Sequence, residues 1–323
     1  MAKLPRDVRP MPATIRSRVV LEIACELVAM KEEANNQAKV LLRRQGESDW
    51  PLALSGSGTI AGVHEVVNGE AQLAIVNPSA ALSVAHRGNA PFTEPQPVLP
   101  IAVVPSLDLC LFVVAADTGL TYIEEIAERR YPLHIALRGQ RDHWLQQTFE
   151  DLCAAAGFTL ADLESWGGSY RREGHIPKRG GPKFEAMARG EINAIFDESA
   201  FNWGNDAVVD GMTVLNMREE TIARLEEIGH IRAIARQADF PDFPGDILTI
   251  DFSGWPVFVH AEAPDDLVTR ICTAFEARKH LIPWQYEGPL PLERMCRHCE
   301  DAPLTLPLHP AAERYWRALG YLD

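Results

Sequence analysis

Residues 50–80, WPLALSGSGTIAGVHEVVNGEAQLAIVNPSA, decide the fold class of this chain. The apolar run at residues 52–54 predicts a strand, and the Ser/Gly run at 55–59 ends it. Val63, Val66 and Val67 then predict the buried side of a helix that stops at Asn68-Gly69. A second apolar strand follows at residues 73–76. The order strand, loop, helix, strand is typical of an α/β protein.

Polar residues follow both strands of this unit. A Ser/Gly loop at the start of a helix offers free backbone N–H groups, hydroxyls and the positive end of the helix dipole, which favour a carboxylate or another oxyanion. In open α/β sheets this strand edge is where ligands bind. The alternative is a tight turn that binds nothing. The predicted ligand contacts are Ser55, Gly56, Ser57, Gly58, Thr59, Asn77 and Ser79.

Length and charge narrow the class of protein. With 323 residues and 46% hydrophobic content, the chain is long enough for two domains with separate cores. The formal net charge of −14 argues against non-specific binding to nucleic acid or to an anionic membrane. No stretch approaches the 18 or more apolar residues of a membrane span, so we expect neither nucleic-acid binding nor membrane insertion.

The cysteines and the N-terminal region predict a cytoplasmic location. The six cysteines lie mostly inside apolar patterns, which favours reduced thiols. Residues 19–30 are interrupted by Glu22 and Glu26 at helical spacing and predict an amphipathic helix, not the apolar core of a secretory signal. A periplasmic location is expected only if the native start differs.

The rest of the chain predicts a discontinuous domain. Buried strands are predicted at residues 96–104 and 107–115, and the second is long enough to cross between domains. A second α/β unit follows, and residues 211–217 predict the return crossing. We therefore expect one lobe from residues 1–116 and 214–323, and an inserted lobe from residues 117–213. Two lobes on a hinge would close over a ligand.

Three segments suggest a family. The runs SGSGTIAGVHEVVNGEAQLAIVN (55–77), MARGEINAIFD (187–197) and LPLHPAAERYWRALG (306–320) resemble the TAXI-type solute-binding proteins of TRAP transporters. The resemblance implies a two-lobed periplasmic-binding-protein type II fold, a cleft for a dicarboxylate, keto acid or amino acid, and TRAP membrane subunits as partners if the protein is exported. Family members carry a signal peptide and a glycine-rich first loop, whereas residues 4–14 here contain no glycine.

A basic segment at residues 166–183 also departs from the family. It holds five Lys or Arg residues against one Glu in an otherwise acidic chain. Arginine suits bidentate recognition of carboxylates, so Arg171, Arg172, Lys178 and Arg179 are predicted to clamp an acidic ligand. The alternative is a solvated loop with balancing charges.

The strand ends of the inserted lobe supply the remaining candidates. Arg138, Arg141 and His143 follow one predicted strand and would face the cleft, although Asp142 among them would also serve as a plain helix N-cap. Asp197-Glu198 follows another strand and would pair with Arg138 or Arg171, or Glu198 would act as a general base.

Trp203 lies close behind Glu198 and completes the predicted set of ligand contacts.

Three functions remain open. The first is binding of a small anionic organic acid between two lobes. The second is a cytoplasmic enzyme on the same fold, a decarboxylase, isomerase or hydratase in which His143, His175 or Glu198 moves a proton. The third is a ligand-dependent sensor. No cofactor is expected, and no metal, because Cys296-Arg-His-Cys299 lacks the second pair that a structural zinc site needs.

Overall fold

The computed structural model describes residues 14–29, 37–49 and 51–323. Over these ranges the chain is a mixed α/β protein with two five-stranded sheets and one two-stranded hairpin. The strands in chain order are β1 (Ala38–Leu42), β2 (Leu52–Gly56), β3 (Leu73–Ile75), β4 (Val98–Val104), β5 (Leu111–Ala115), β6 (His134–Leu137), β7 (Ser169–Arg172), β8 (Ala194–Asp197), β9 (Met212–Val214), β10 (Arg232–Ala235), β11 (Ile247–Ile250) and β12 (Trp255–His260).

The helices connect and cover these strands. In chain order they are α1 (Ile15–Ala29), α2 (Thr59–Val67), α3 (Ser79–Arg87), α4 (Glu125–Arg129), α5 (Leu145–Ala155), α6 (Leu160–Ser165), α7 (Pro182–Ala188), α8 (Gly204–Val209), α9 (Glu219–Ile228), α10 (Asp265–Arg278), α11 (Leu292–Met295) and α12 (Pro310–Ala318). No helix in the described part of the chain is both long enough and apolar enough to cross a membrane.

The first sheet has the strand order β1-β2-β3-β12-β4. Strands β2 and β3 are parallel and are joined by α2, as the opening unit predicts. Helix α2 buries Val63 and Val66. It ends at Asn68, and Gly69 takes a φ of +74°, the left-handed region that favours glycine at a helix end.

The second sheet has the strand order β7-β6-β8-β5-β9. Strand β6 is parallel to β7 and β8, whereas β5 is antiparallel to β8 and β9. The central strands are buried on both faces, which is why they are continuous apolar runs in the sequence.

Each sheet contains one antiparallel strand that follows a crossing from the other sheet. Strand β4 of the first sheet leads into β5 of the second. After β9 the chain passes through α9 and the β10-β11 hairpin and returns as β12, between β3 and β4. The two-lobed α/β architecture expected from the sequence is therefore present. The strands of the second sheet run from Leu111 to Val214, and the lobe limits at residues 117 and 213 stay a prediction.

The largest buried apolar cluster spans both sheets. It includes Val63 and Phe258 beside the first sheet and Phe112 and Phe149 beside the second. A separate cluster holds α12, where the buried Trp316 indole donates to the Ile101 carbonyl at 2.8 Å. This contact attaches the C-terminal segment to β4.

The basic segment at residues 166–183 is not the expanded loop that the sequence predicts. Ser169–Arg172 form β7 at the edge of the second sheet, and α7 begins at Pro182. A polar, charged edge strand lacks the apolar alternation that would identify it.

The N-terminal predictions have a mixed outcome. The predicted helix is present as α1, but it has no buried residue. The predictions for residues 4–13 and 30–31 lie outside the described residues.

Candidate functional site

Two hinge segments, residues 105–110 and 250–254, connect the sheets and run side by side. The Ser253 hydroxyl donates to the Asp108 carbonyl and accepts from the Asp108 N–H, both at 2.9 Å. The Phe252 N–H also donates to the Asp108 carbonyl at 2.9 Å, and Leu109 forms a bridge with Asp251. The two segments are therefore coupled by their backbones, and rotation of one lobe against the other has to pass through them.

A cavity of about 760 Å³ lies against the hinge, and we call it the interlobe cavity. Its walls come from the first hinge segment, from the ends of β3 and β8, from the start of β12 and from a loop after α10. The lining residues are Asn77, Val104, Pro105, Ser106, Leu107, Asp108, Glu198, Ser199, Phe201, Asn202, Trp255, Pro283, Trp284, Gln285 and Tyr286.

The loop after α10 is fixed to the hinge. The Gln285 amide accepts from the Leu107 N–H at 2.7 Å and donates to the Leu107 carbonyl at 3.3 Å. The Trp284 indole donates to the Gly288 carbonyl at 2.9 Å, which holds the loop on itself. This wall of the cavity therefore moves with the first hinge segment.

A buried cluster of charges stands behind Glu198. The Arg138 guanidinium donates to the Asp197 carboxylate at 2.6 and 3.0 Å and to Glu198 Oε1 at 2.8 Å. The Lys183 ammonium donates to the other Asp197 oxygen at 2.6 Å. The pairing of Asp197-Glu198 with Arg138 predicted from the sequence is confirmed. Two cations and two carboxylates compensate one another here, as buried charges require.

Glu198 and Asp108 differ in how their charge is compensated. Burial raises the pKa of Glu198, and the Arg138 guanidinium opposes that rise. Burial and then the negative charge of Glu198 raise the pKa of Asp108 well above its ordinary value, although the backbone N–H groups of Leu109 and Ser199 counteract this. Ser199 adopts a φ of +60°, an unusual backbone conformation for a residue other than glycine.

His143 borders this cluster without lining the cavity. Its Nε2 lies 3.6 Å from Glu198 Oε1, and its ring stacks on Phe252 with centroids 5.9 Å apart. Burial, and then the Arg138 charge, lower the pKa of His143 to about 4. The imidazole is therefore neutral near pH 7. Its Nδ1 accepts from the Leu145 N–H at 3.2 Å, which leaves the proton on Nε2, towards Glu198.

The Ser/Gly loop of the first lobe lies at the start of α2, as predicted. The Ser55 and Ser57 hydroxyls are 3.2 Å apart, and the Thr59 hydroxyl donates to the Asn77 carbonyl at 2.8 Å. A Cβ built on Gly58 would lie 3.4 Å from an Asp142 carboxylate oxygen of the second lobe. The positive end of α2 thus already faces a carboxylate that belongs to the protein itself.

The cations of the basic segment pair within the second lobe. Arg171 contacts Glu173 at 2.8 Å, Arg172 donates to Gln146 at 2.8 Å, and Arg179 pairs with Asp210. Lys178 is exposed. Of the described residues that line the interlobe cavity, none belongs to this segment. The exposed part of the segment is solvated and its charges are balanced, whereas Lys183 at its end is buried and pairs with Asp197.

The remaining candidates lie in different places. Trp203 is fully buried, and its indole donates to the Glu198 carbonyl at 2.8 Å, so it supports Glu198 from behind. Arg141 and His175 are exposed. Asp142 is not the helix N-cap that its position favours, because α5 begins at Leu145 and the cap residue is Trp144.

The backbone at Gly56 sits inside β2, and Ser79 is buried at the start of α3. Of the predicted contacts, Asn77 and Glu198 line the interlobe cavity. Whether the other predicted residues touch a ligand stays a prediction.

The cysteines carry no pairing. All six are free, and the Cys296 thiol is buried against α12. Within the described ranges no three His, Cys, Asp or Glu side chains are grouped so that they could hold a metal ion.

Sequence reasoning missed Asp108 and the aromatic wall of the cavity. Asp108 interrupts the start of the apolar strand predicted at residues 107–115, which was the available signal. Trp284 and Tyr286 lie in a Pro-rich tail with no periodic pattern, so nothing local linked them to the hinge.

No family model matches the chain, and no curated protein does. Solved structures show weak similarity. MatC (Rpa3494) from Rhodopseudomonas palustris with bound malate is 12% identical, with 67% of each chain covered and a TM-score of 0.34. A TctC solute-binding protein from Polaromonas is 18% identical, covering 68% of this chain and 69% of that chain, with a TM-score of 0.34.

A protein described as a periplasmic transporter is 12% identical, covers 82% of this chain and 79% of that chain, and has a TM-score of 0.35. One of these three neighbours is thus described as a solute-binding protein and another as a periplasmic transporter. At such TM-scores the two-lobed fold rests on the two sheets described above.

Proposed function

We propose that the protein binds a small organic molecule in the interlobe cavity and closes on it by rotation at the hinge segments. The observation that supports this proposal is the position of the cavity, which touches the hinge and is lined by residues from both sheets. A cavity of about 760 Å³ is within the ordinary size range of small-molecule sites. An occupant would contact both lobes and so would favour one hinge angle.

The finer proposal from the sequence is a TAXI-type receptor for an anionic organic acid. Its support is the resemblance of residues 55–77, 187–197 and 306–320. The geometry weakens the choice of an anion, because the described residues that line the cavity include Asp108 and Glu198 but no Arg, Lys or His. Partnership with TRAP membrane subunits would require export of the protein, and both are proposals.

The test is a thermal-shift screen followed by calorimetry. Carboxylic acids, amino acids, amines and neutral polyols are compared on the wild-type chain and on Asn202→Trp, which places an indole in the cavity wall. Val209→Trp, on an exposed part of α8, is the matched control. We expect binding that is lost in Asn202→Trp and kept in the control. A flat response of the wild type to every class would refute the proposal.

For localisation we propose the cytoplasm, supported by six unpaired cysteines. Cell fractionation with an antibody against the native protein tests this. Recovery from the periplasm would instead favour a role as a transport receptor.

Proton-transfer catalysis is a second candidate, and one observation favours it. Asp108 and Glu198 line the same cavity, and the pKa of Asp108 is raised by burial whereas Arg138 opposes that rise at Glu198, so the two carboxyl groups hold a proton with different strength. Incubation of each bound compound with the protein, followed by NMR of the compound, tests this. An unchanged ligand spectrum would leave binding as the function.

A further inference from the structure

We propose that the ligand of the interlobe cavity is an organic cation, an ammonium group carried on an apolar or aromatic frame. This inference rests on the proposed function, because it names the ligand class of the same cavity. Three features carry it: the sign of the charges on the wall, the hydrogen-bonding groups left without donors, and the aromatic rings around the opening.

The wall offers carboxyl groups and no cation. Asp108 and Glu198 are its acidic residues, and the described lining residues include no Lys, Arg or His. Behind the wall, Arg138 is already bound to Asp197 and Glu198, and Lys183 is bound to Asp197. An anionic ligand would therefore face two carboxyl groups with no cation of its own to contact, and the desolvation of its charge would go uncompensated.

One buried acceptor of the wall lacks a donor. Asn77 Oδ1 is buried and has no hydrogen-bond partner among the described residues. Glu198 accepts from Arg138 through Oε1, and no donor among the described residues reaches its Oε2. Asp108 Oδ2 lies 3.5 Å from the Ser199 hydroxyl, and backbone N–H groups of the adjoining turn also donate to this carboxyl group. A buried acceptor without a donor costs about 1–3 kcal/mol, so the wall is complementary to a group that donates. An ammonium group donates and accepts nothing.

Aromatic rings complete the complementarity. Phe201, Trp255 and Tyr286 line the cavity and yet are 44%, 42% and 49% exposed. Trp284 lies edge-on to Tyr286 with ring centroids 5.2 Å apart. Large apolar side chains grouped on a surface mark a binding site more often than chance exposure does. The faces of such rings attract cations, and this attraction grows when water is excluded.

The charge of the whole chain points the same way. A formal net charge of −14 concentrates cations near the surface and speeds their encounter with the cavity. A neutral carbohydrate also uses aromatic rings and carboxylates, but it would gain nothing from the negative charge. The experiment therefore has to separate charge from shape.

Isosteric pairs make that separation. 2-Phenylethylamine, whose –NH₃⁺ group donates hydrogen bonds, is compared with 2-phenylethanol, and choline, whose quaternary nitrogen has charge but no N–H, with 3,3-dimethylbutan-1-ol, while glutarate and glucose represent anions and sugars. Calorimetry is done on the wild type, on Asp108→Asn and on Trp255→Leu. Glu164→Gln, which removes an exposed carboxylate on α6, is the matched control. Thermal melting confirms that each variant is folded, and Trp255 is exposed enough that its substitution leaves the core intact.

We expect at least one ammonium compound to bind ~10-fold more tightly than its neutral isostere, the size of a desolvated cation–π contact. Asp108→Asn and Trp255→Leu should each weaken it by ~10-fold, and Glu164→Gln should leave it unchanged. Equal affinity of the isosteres, or binding of glutarate or glucose alone, would refute the proposal of a cationic ligand and leave the proposed function standing. Failure of every class to bind would overturn both.

Discussion

The boundary between the lobes has two unlike sides. On the closed side Phe92 of the first lobe stacks on the buried Trp144 of the second, with centroids 6.4 Å apart. Helix α9 packs on α5 beside the second sheet, and its end fits against α3, where the Asn89 side chain donates to the Ile228 carbonyl at 2.9 Å. On the cavity side the rings are half-exposed, and the buried Asn77 Oδ1 has no donor among the described residues.

The difference shows which contacts hold the lobes and which await a ligand. The closed side is held by stacked aromatic rings and by a hydrogen bond between α9 and the end of α3, although the buried Trp144 indole N–H has no partner among the described residues. On the cavity side, Arg138 compensates the charges of Asp197 and Glu198 from the protein interior. The surface of the cavity itself has no such cation among its described lining residues. Substitutions on the two sides should therefore have separable effects on stability and on binding.

Loss of Arg138 should have the largest effect on stability. Arg138→Met leaves Glu198 buried without its cation and Asp197 with one cation instead of two, so we expect a loss of about 3–5 kcal/mol in the free energy of unfolding. Urea denaturation measures it. Arg171→Met, which removes a half-exposed ion pair, is the control and should cost about 1 kcal/mol or less. Equal losses would contradict a buried charge cluster.

His143 should make stability depend on pH. The pKa of His143 is about 4 in the folded protein and 6.5 ordinarily. Between these pH values the unfolded chain therefore binds a proton that the folded chain does not bind. This contribution to stability is present above pH 6.5 and is lost as the pH falls towards 4, by on the order of 3 kcal/mol.

His143→Asn keeps an acceptor for the Leu145 N–H and removes the titration, so its stability should fall less between pH 7 and pH 4 than that of the wild type. Asp251, whose pKa burial raises to about 7, acts in the opposite direction but is common to both proteins. Parallel pH profiles of the two proteins would contradict a buried neutral imidazole.

Gly229 tests the closed side. It has a φ of +114°, and an added Cβ would lie 2.9 Å from the Val84 nitrogen of α3. Gly229→Ala should lose about 2–3 kcal/mol through backbone strain and overpacking. Gly211→Ala, at a φ of +83° with no heavy atom within 4 Å, should lose only about 1 kcal/mol. Thermal or urea unfolding decides, and similar losses would mean that α9 and α3 do not fit closely.

Asp142 should have the smallest effect on stability. Asp142→Asn removes the carboxylate that faces the start of α2, for a loss of about 0.5 kcal/mol. Its sharper consequence is in binding, because the Ser/Gly loop would then be free to take an added anion. Sulfate should stabilise the variant more than the wild type in a thermal-shift titration. An identical sulfate response would show that Asp142 does not occupy this position.

The sequence predicted the elements whose patterns are local. The unit at residues 50–80 follows from apolar periodicity and helix-end residues, because its helix buries one face beside the first sheet. Strand β7 and the β10-β11 hairpin were missed, because edge strands are short and their polar residues hide the alternation.

The site was harder to predict than the fold. Glu198 and its pairing with Arg138 could be inferred, since both follow strands of one sheet. Asp108, Trp255 and Tyr286 meet only because the chain crosses between the sheets twice, and no short-range pattern records that crossing. The basic segment misled for the opposite reason: its charge was conspicuous in the sequence, whereas most of its acidic partners, such as Glu191 and Asp210, lie outside the segment.

The two hydrogen bonds between Gln285 and Leu107 couple the loop after α10 to the first hinge segment, so the size of an occupant can affect the hinge. The loop that carries Trp284 cannot retreat from a bulkier molecule without turning the peptide planes of the first hinge segment. We therefore expect the width of the occupant at this wall to set the angle between the lobes. Occupants of different width would then permit different degrees of closure. The Trp284 indole, next to Tyr286 on that loop, is placed to report this angle through its fluorescence.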